Sequence, residues 1–532
     1  MHSEYQSLIE GLAQYPEYQS AVLDYGYLLT NQQVNMGDAF PFYGNWRKIP
    51  LLQDWNLYLH RNQKAYIHTA DGTVYFLVGH AYDPFANEAD ENRILERFAE
   101  KTAGAFQQGF DVLDDLTGLF LLGILSPEGK ISFCGDFESM RTTYYGCVNG
   151  KVYLSSHEEL VNFYETLHFD PYVKKLEGYS WYRLYGEGLP GDISHYLELK
   201  KLICNTFVVY QDGTFAVNRM WPRKPITMCN DEEAYAETVR RIADAMYNSM
   251  DLIAQKWEKP AVSTTGGRDS KGSLAAAVHA KDKYQFFSYN SQYAEKVDCD
   301  AAAAICAAVG VDHTVYTIPL DREIYPEYEL ARKILMFNSN RRYFNHNDIM
   351  KRIYLRKHKT FDVEVKSWTS EIGRAFYYKR YGVRKMQKKC TPRRVNVMNN
   401  IYLFHPVLMY QTDARYADYL RKTRYNEHMF NYDWSDIIDL EMRDSRWGAD
   451  VLSCEHMFAH DVTVPYNNRH LGELFLAVPL EDRIRDRTNI DFTASLCPVL
   501  GETEIHVKDV NHDWKRLWMD KIYYFISSVR IV

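Results

Sequence analysis

The sequence predicts a two-part α/β and α+β protein: a sandwich of sheets and helices, followed by a parallel sheet with helices between its strands. Three observations predict it. Short apolar runs broken by turn residues begin near Trp46, a proline-rich basic segment interrupts the chain at 221–226, and strands then alternate with helices around a Gly266-Gly267 turn. At 532 residues the chain exceeds one ordinary hydrophobic core.

Residues 1–40 read as an N-terminal extension with short amphipathic pieces at 7–12 and 18–23. Residues 41–221 read as one domain. Ala65-Tyr66-Ile67-His68 before Asp71-Gly72, then Thr73 to Val78, predict a hairpin, a helix follows from about Glu91 to Phe106, and Asp115 to Leu125 and Lys130 to Cys134 flank the turn at Pro127-Glu128-Gly129. Trp221-Pro222-Arg223-Lys224-Pro225 disfavours helix and marks the boundary. Residues 231–532 read as the second domain, opening on a helix that Asp231 can cap and continuing through strands at 261–263, 284–289 and 314–318.

Composition bounds the function. A formal charge of −8 speaks against general nucleic-acid binding. The nine cysteines are scattered without a Cys-x-x-Cys pair, which predicts neither a disulfide framework nor a zinc cage and fits a cytoplasmic protein. The start of the chain has no signal-peptide pattern and no run of 18 apolar residues occurs, so no membrane partner is expected. The 42 tyrosines fit an aromatic-lined cleft.

The most informative segment is Ser263-Thr264-Thr265-Gly266-Gly267-Arg268-Asp269-Ser270, between a strand ending at Val262-Ser263 and a helix. Glycines let backbone N–H groups approach an anion, the helix N-terminus adds positive potential, and the hydroxyls of Thr264 and Ser270 can donate to phosphate oxygens. Asp269 beside such a nest needs a cation between itself and a phosphate, which implies Mg²⁺. Arg268 and Lys271 flank it and could steer a triphosphate.

The segment resembles the S-G-G-x-D-S loop of the N-type ATP pyrophosphatases, and most closely the T-G-G-R-D-S form of asparagine synthetase-like proteins. Val365 to Arg374 is similar to the family's G-E/Y-G-A-D loop, with Glu371 at the acidic metal position. Asp461 to Arg469 is similar to its R-x-P-F-L-D-x-R segment. Asp115 to Phe120, Asp136, Arg141 to Tyr145 and Leu154-Ser155-Ser156 are similar to patterns of class II glutamine amidotransferase domains.

The resemblance implies an Ntn-hydrolase-like αββα domain followed by an adenine nucleotide α-hydrolase-like parallel sheet. ATP would place its phosphates at 264–270 and its adenine near Val262 and Phe287-Ser288-Tyr289, with Mg²⁺ on Asp269 and Glu371. The implied activity is an AMP-forming carbon–nitrogen ligase that adenylates a small-molecule or peptide carboxylate and passes it to an amine; a homodimer is left open. A lasso-peptide or β-lactam-type cyclase, an adenylating enzyme of RNA thiolation and a non-catalytic scaffold are the alternatives.

Class II domains use an N-terminal cysteine, whereas this chain begins Met1-His2, so no glutaminase activity is expected. Where relatives carry a catalytic lysine, Arg485 and Arg487 stand here, and Lys508 and Lys366 are the other candidates. Trp368 stands at the Glu/Tyr base position. His456 and His460 have zinc-like helical spacing, but no third ligand lies within sequence reach, so they are read as packing residues.

Overall fold

Alternation in the strands sorts side chains into separate cores. The computed structural model describes residues 5–186, 188–339, 344–384, 386, 389–399, 404–502 and 514–529. A first six-stranded antiparallel sheet runs in the order Lys200–Lys201, Tyr144–Val148, Lys151–Ser155, Tyr27–Thr30, Asn56–His60, Trp46–Pro50. A second runs Thr214–Arg219, Thr206–Gln211, Ile131–Gly135, Thr117–Leu125, Thr73–Tyr82, Ala65–Ala70. Tyr27, Leu29, Leu57 and Leu59 of the first sheet share one core with Phe76, Val78, Leu121 and Phe133 of the second. Their neighbours Leu28 and Tyr58 point into another core, and Tyr75 and Leu77 into a third, as a two-residue period requires.

The expected extension at 1–40 needs correction. Tyr27–Thr30 is an interior strand, paired with Asn56–His60 and Lys151–Ser155, and the Gln6–Gln14 helix buries Leu8 and Leu12 in the second core. Four residues of strand are too short for a periodic signal, so only the sheet around them reveals their place.

The third sheet is parallel, in the order His313–Thr317, Gln285–Asn290, Pro260–Ser263, Val363–Val365, Asp461–Thr463. Its two faces also separate: Ala261 and Phe287 enter the core shared with the first sheet, whereas Val262, Phe286, Val363 and Val365 enter the core shared with the second. The protein is thus a mixed α/β structure of several sheets, one of them parallel.

The Glu232–Lys256 helix opens with the Asp231 side chain accepting from the Ala234 N–H at 2.8 Å. The core does not divide at the 221–226 segment. Trp221 is 1% exposed and donates from its indole to Glu473 at 2.8 Å, inside a cluster that extends from Tyr75 to Leu500. Asn467, Asn468 and Arg469 carry the join further: Asn467 Nδ2 donates to the Gly118 carbonyl (2.8 Å), Asn468 Nδ2 to the Asp115 carbonyl (2.7 Å), and Arg469 to the carbonyls of Gly135 and Asp136 (both 3.0 Å).

Candidate active site

The parallel sheet reverses its strand order beside Pro260–Ser263: the chain runs outward to His313–Thr317, then crosses back to Val363–Val365 on the other side. Loops leaving such a switch point diverge and open a crevice at the strand C-termini. Here the crevice is a cavity of about 300 Å³. Ser263, Thr265, Asp269 and Ser270 line one wall, Lys366 to Thr369 and Glu371 a second, and Arg443, Asp444 and Trp447 a third. The third wall belongs to the Asp439–Gly448 π-helix, from which Arg443 and Trp447, four residues apart, both line the cavity.

The Gly266-Gly267 turn is organised from within. Thr264 N–H bonds the Phe287 carbonyl at 2.8 Å, Thr265 Oγ1 accepts from Gly267 N–H at 3.1 Å, and Ser270 Oγ lies 2.9 Å from Thr265 Oγ1. The Arg268–Ala277 helix starts directly behind it. Its free N–H groups give this wall positive potential.

Asp269 accepts from Ser370 Oγ and from Arg374 NH1, both at 2.6 Å. Burial pushes its carboxyl above the ordinary value; Arg374 opposes this and Glu371 adds to it. Glu371 pairs with Arg443 at 2.6 Å. Burial works against its charge as well, but Arg443 and Arg374 outweigh burial and hold the carboxyl below its usual range. Arg374 also bonds Asp486 Oδ1 at 2.9 Å, and Lys379 pairs with the same oxygen. Trp368 and Trp447 stack at 5.2 Å and 18°.

The other anticipated residues divide by position. Val262 and Thr264 are fully buried, and the Thr264 hydroxyl turns to the Val262 carbonyl at 3.3 Å, away from the cavity; the expectation that it donates to phosphate is corrected. Ser288 Oγ binds the Thr264 carbonyl at 2.5 Å, and the Tyr289 ring lies under Lys366 at 5.7 Å. Phe287 is buried against Phe361, which leaves no face for adenine. Arg268 reaches Asp486 at 3.5 Å, and Lys271 is buried.

Lys366 reaches the cavity. Arg487 does not: it pairs with Glu232 at 2.5 Å and lies over the Tyr235 ring at 3.9 Å, tied to the Glu232–Lys256 helix. Arg485 is exposed at the end of the Leu480–Ile484 helix and is not part of the cavity wall. Lys508 lies outside the described residues.

Sequence reasoning missed Arg443, Asp444 and Asp486, and saw Arg374 only as a partner for Glu371. The i,i+3 spacing of Glu371 and Arg374 signals a local pair, but the fold gives each acid a different arginine. Two carboxylates with the hydroxyls of Thr265 and Ser270 around one polar cavity form a hard-oxygen donor set that fits Mg²⁺. Burial raises the Asp269 carboxyl and the Glu371 carboxylate adds to it, and a cation beside Asp269 would oppose both.

No family model matches the chain, and no curated protein matches it. Among solved structures, a glutamine phosphoribosylpyrophosphate amidotransferase from B. subtilis, complexed with ADP and GMP, is similar at 11% identity with a TM-score of 0.22. The alignment covers 54% of this chain and 64% of that one, less than two thirds of its length.

Proposed function

We propose that this chain is an ATP-dependent, AMP-forming ligase that adenylates a carboxylate and transfers the acyl group to an amine. In this reading the facing antiparallel sheets form an Ntn-hydrolase-like layer and the parallel sheet an adenine nucleotide α-hydrolase-like one. The observation that carries it is the meeting of Asp269, behind the Gly-Gly turn, with Glu371 across the switch point of the sheet.

A substrate carboxylate oxygen would attack the α-phosphorus, the α–β P–O bond would break and pyrophosphate would leave. The amine nitrogen would then attack the acyl carbon, AMP would leave, and the nitrogen would lose a proton. The N-terminus of the Arg268–Ala277 helix and Lys366 would attract phosphate oxygens, and Arg374 and Arg443 hold the two carboxylates in place. Mg²⁺ held by Asp269 and Glu371 would supply charge neutralisation for the departing pyrophosphate.

One observation favours a second reading, a binding protein without turnover: both acids are already paired with arginines. Pyrophosphate release, measured with carboxylate and amine libraries, separates the two. Asp269→Asn is expected to lower turnover about a hundredfold or more. Release at the wild-type rate in that variant, or no ATP turnover with any substrate pair, would sink the ligase reading.

A further inference from the structure

A second constellation lies directly behind the cavity. Glu364 sits between Val363 and Val365, opposite Ala261, and therefore points into the apolar core on that face of the parallel sheet. It is fully buried. A carboxylate there requires partners, and it has three: the Lys366 ammonium as an ion pair 2.7 Å from Oε1, and hydrogen bonds on Oε2 with His456 Nδ1 at 3.1 Å and His460 Nε2 at 2.7 Å. The two histidines thus find across the sheet the third partner that their sequence neighbourhood lacks.

Glu364, His456 and His460 have the composition of a metal site, and their ligand atoms lie within 4.8 Å of one another. The hydrogen bonding argues against a metal. The Arg352 guanidinium, which can only donate, faces both ring nitrogens of His456, with NH2 at 3.0 Å from Nε2 and NH1 at 3.4 Å from Nδ1. The Lys366 ammonium occupies the other carboxylate oxygen, and a divalent cation would have to sit between two fixed positive groups.

We propose that Glu364, clamped by His456 and His460, is a positioning residue that holds the Lys366 ammonium at the cavity wall as a fixed cation for a phosphate or pyrophosphate group. The inference rests on the adenylation reading for the identity of that anion. Burial alone would lower the affinity of Lys366 for its proton, but Glu364 outweighs burial and raises it, so Lys366 acts as a permanent charge and not as a base. The groups facing it are Glu364 on its own segment, His456 and His460 behind, Arg352 from the His346–His358 helix, and Tyr289, over whose ring Lys351 also lies at 4.6 Å. Burial keeps both histidines neutral by pushing their affinity for a second proton down.

The test is calorimetric titration of the full-length chain with inorganic pyrophosphate and Mg²⁺, from neutral pH up to the ordinary lysine value of about 10.4. Wild type is expected to bind with nearly constant affinity over most of that range. Lys366→Met should bind about tenfold more weakly, and Lys366→Arg should restore most of the loss. Glu364→Gln should bind near neutrality but lose affinity at a lower pH than wild type, because Lys366 then feels burial without its counter-charge.

Coincident pH profiles for Glu364→Gln and wild type, unchanged affinity in Lys366→Met, or no pyrophosphate binding by wild type would each overturn the proposal, as would one zinc per chain by elemental analysis. If Glu364→Gln does not fold, failure of Lys366→Arg to rescue what Lys366→Met removes decides against it. Pyrophosphate binding through Lys366 without ATP turnover would remove the ligase reading alone; turnover indifferent to Lys366→Met would remove this inference alone.

Discussion

Thr369 lines the cavity with a backbone φ of +71°. A β-branched side chain in that region costs about 1–2 kcal/mol, more than the roughly 0.5–1 kcal/mol of extra chain entropy that glycine would lose. Thr369→Gly is therefore expected to leave stability unchanged or raise it by up to about 1 kcal/mol in a denaturant titration, and a loss above that size would show that the hydroxyl or methyl supplies a needed contact. Strain of this kind gathers where a loop is held in a working shape. At this scale the sequence was informative about residue type and poor about pairing. Asp269 and Glu371 stood out beside glycines, but their arginine partners come from 105 and 72 positions away, beyond any local pattern.

The Arg268–Ala277 helix presents Gly272 to Tyr466 and Phe492. A Cβ there would meet Tyr466 Oη at 2.4 Å and Phe492 Cζ at 2.6 Å, and both rings are buried and cannot retreat. Alanine gains about 1 kcal/mol of helix propensity over glycine, but overpacking costs typically about 1–3 kcal/mol. Gly272→Ala should thus lower the melting temperature and, by tilting the helix, weaken the nucleotide binding proposed for the turn. A more stable variant would mean that the two rings yield. Turn, helix and strand alternation in this region were legible because glycine and period-two patterns are local signals. The Tyr27–Thr30 strand was not, since four buried residues carry no period, and neither was the Asp439–Gly448 π-helix, which lacks a distinguishing composition.

The proline-rich segment at 221–226 was a sound reading of backbone, yet it did not reveal that the Trp221 side chain enters the core. The largest apolar cluster reaches from Tyr75 to Leu500, and Arg469, 1% exposed, closes the seam by donating to backbone carbonyls at Leu113, Gly135 and Asp136. Arg469→Leu would leave those carbonyls without their donor and is expected to cost about 3 kcal/mol or more. Because packing is continuous across the segment, far-UV dichroism and tryptophan fluorescence should report coincident unfolding transitions. Two separated transitions would show that the halves melt independently.

The stacked indoles of Trp368 and Trp447, 5.2 Å apart on two walls of the cavity, also give the molecule an optical property. Rings this close share their excited states, so their absorption of polarised light depends on the angle between them. A ligand entering the cavity has to press on one of them or slide past. The protein therefore carries an unlabelled signal of occupancy, one that works before the identity of any substrate is known.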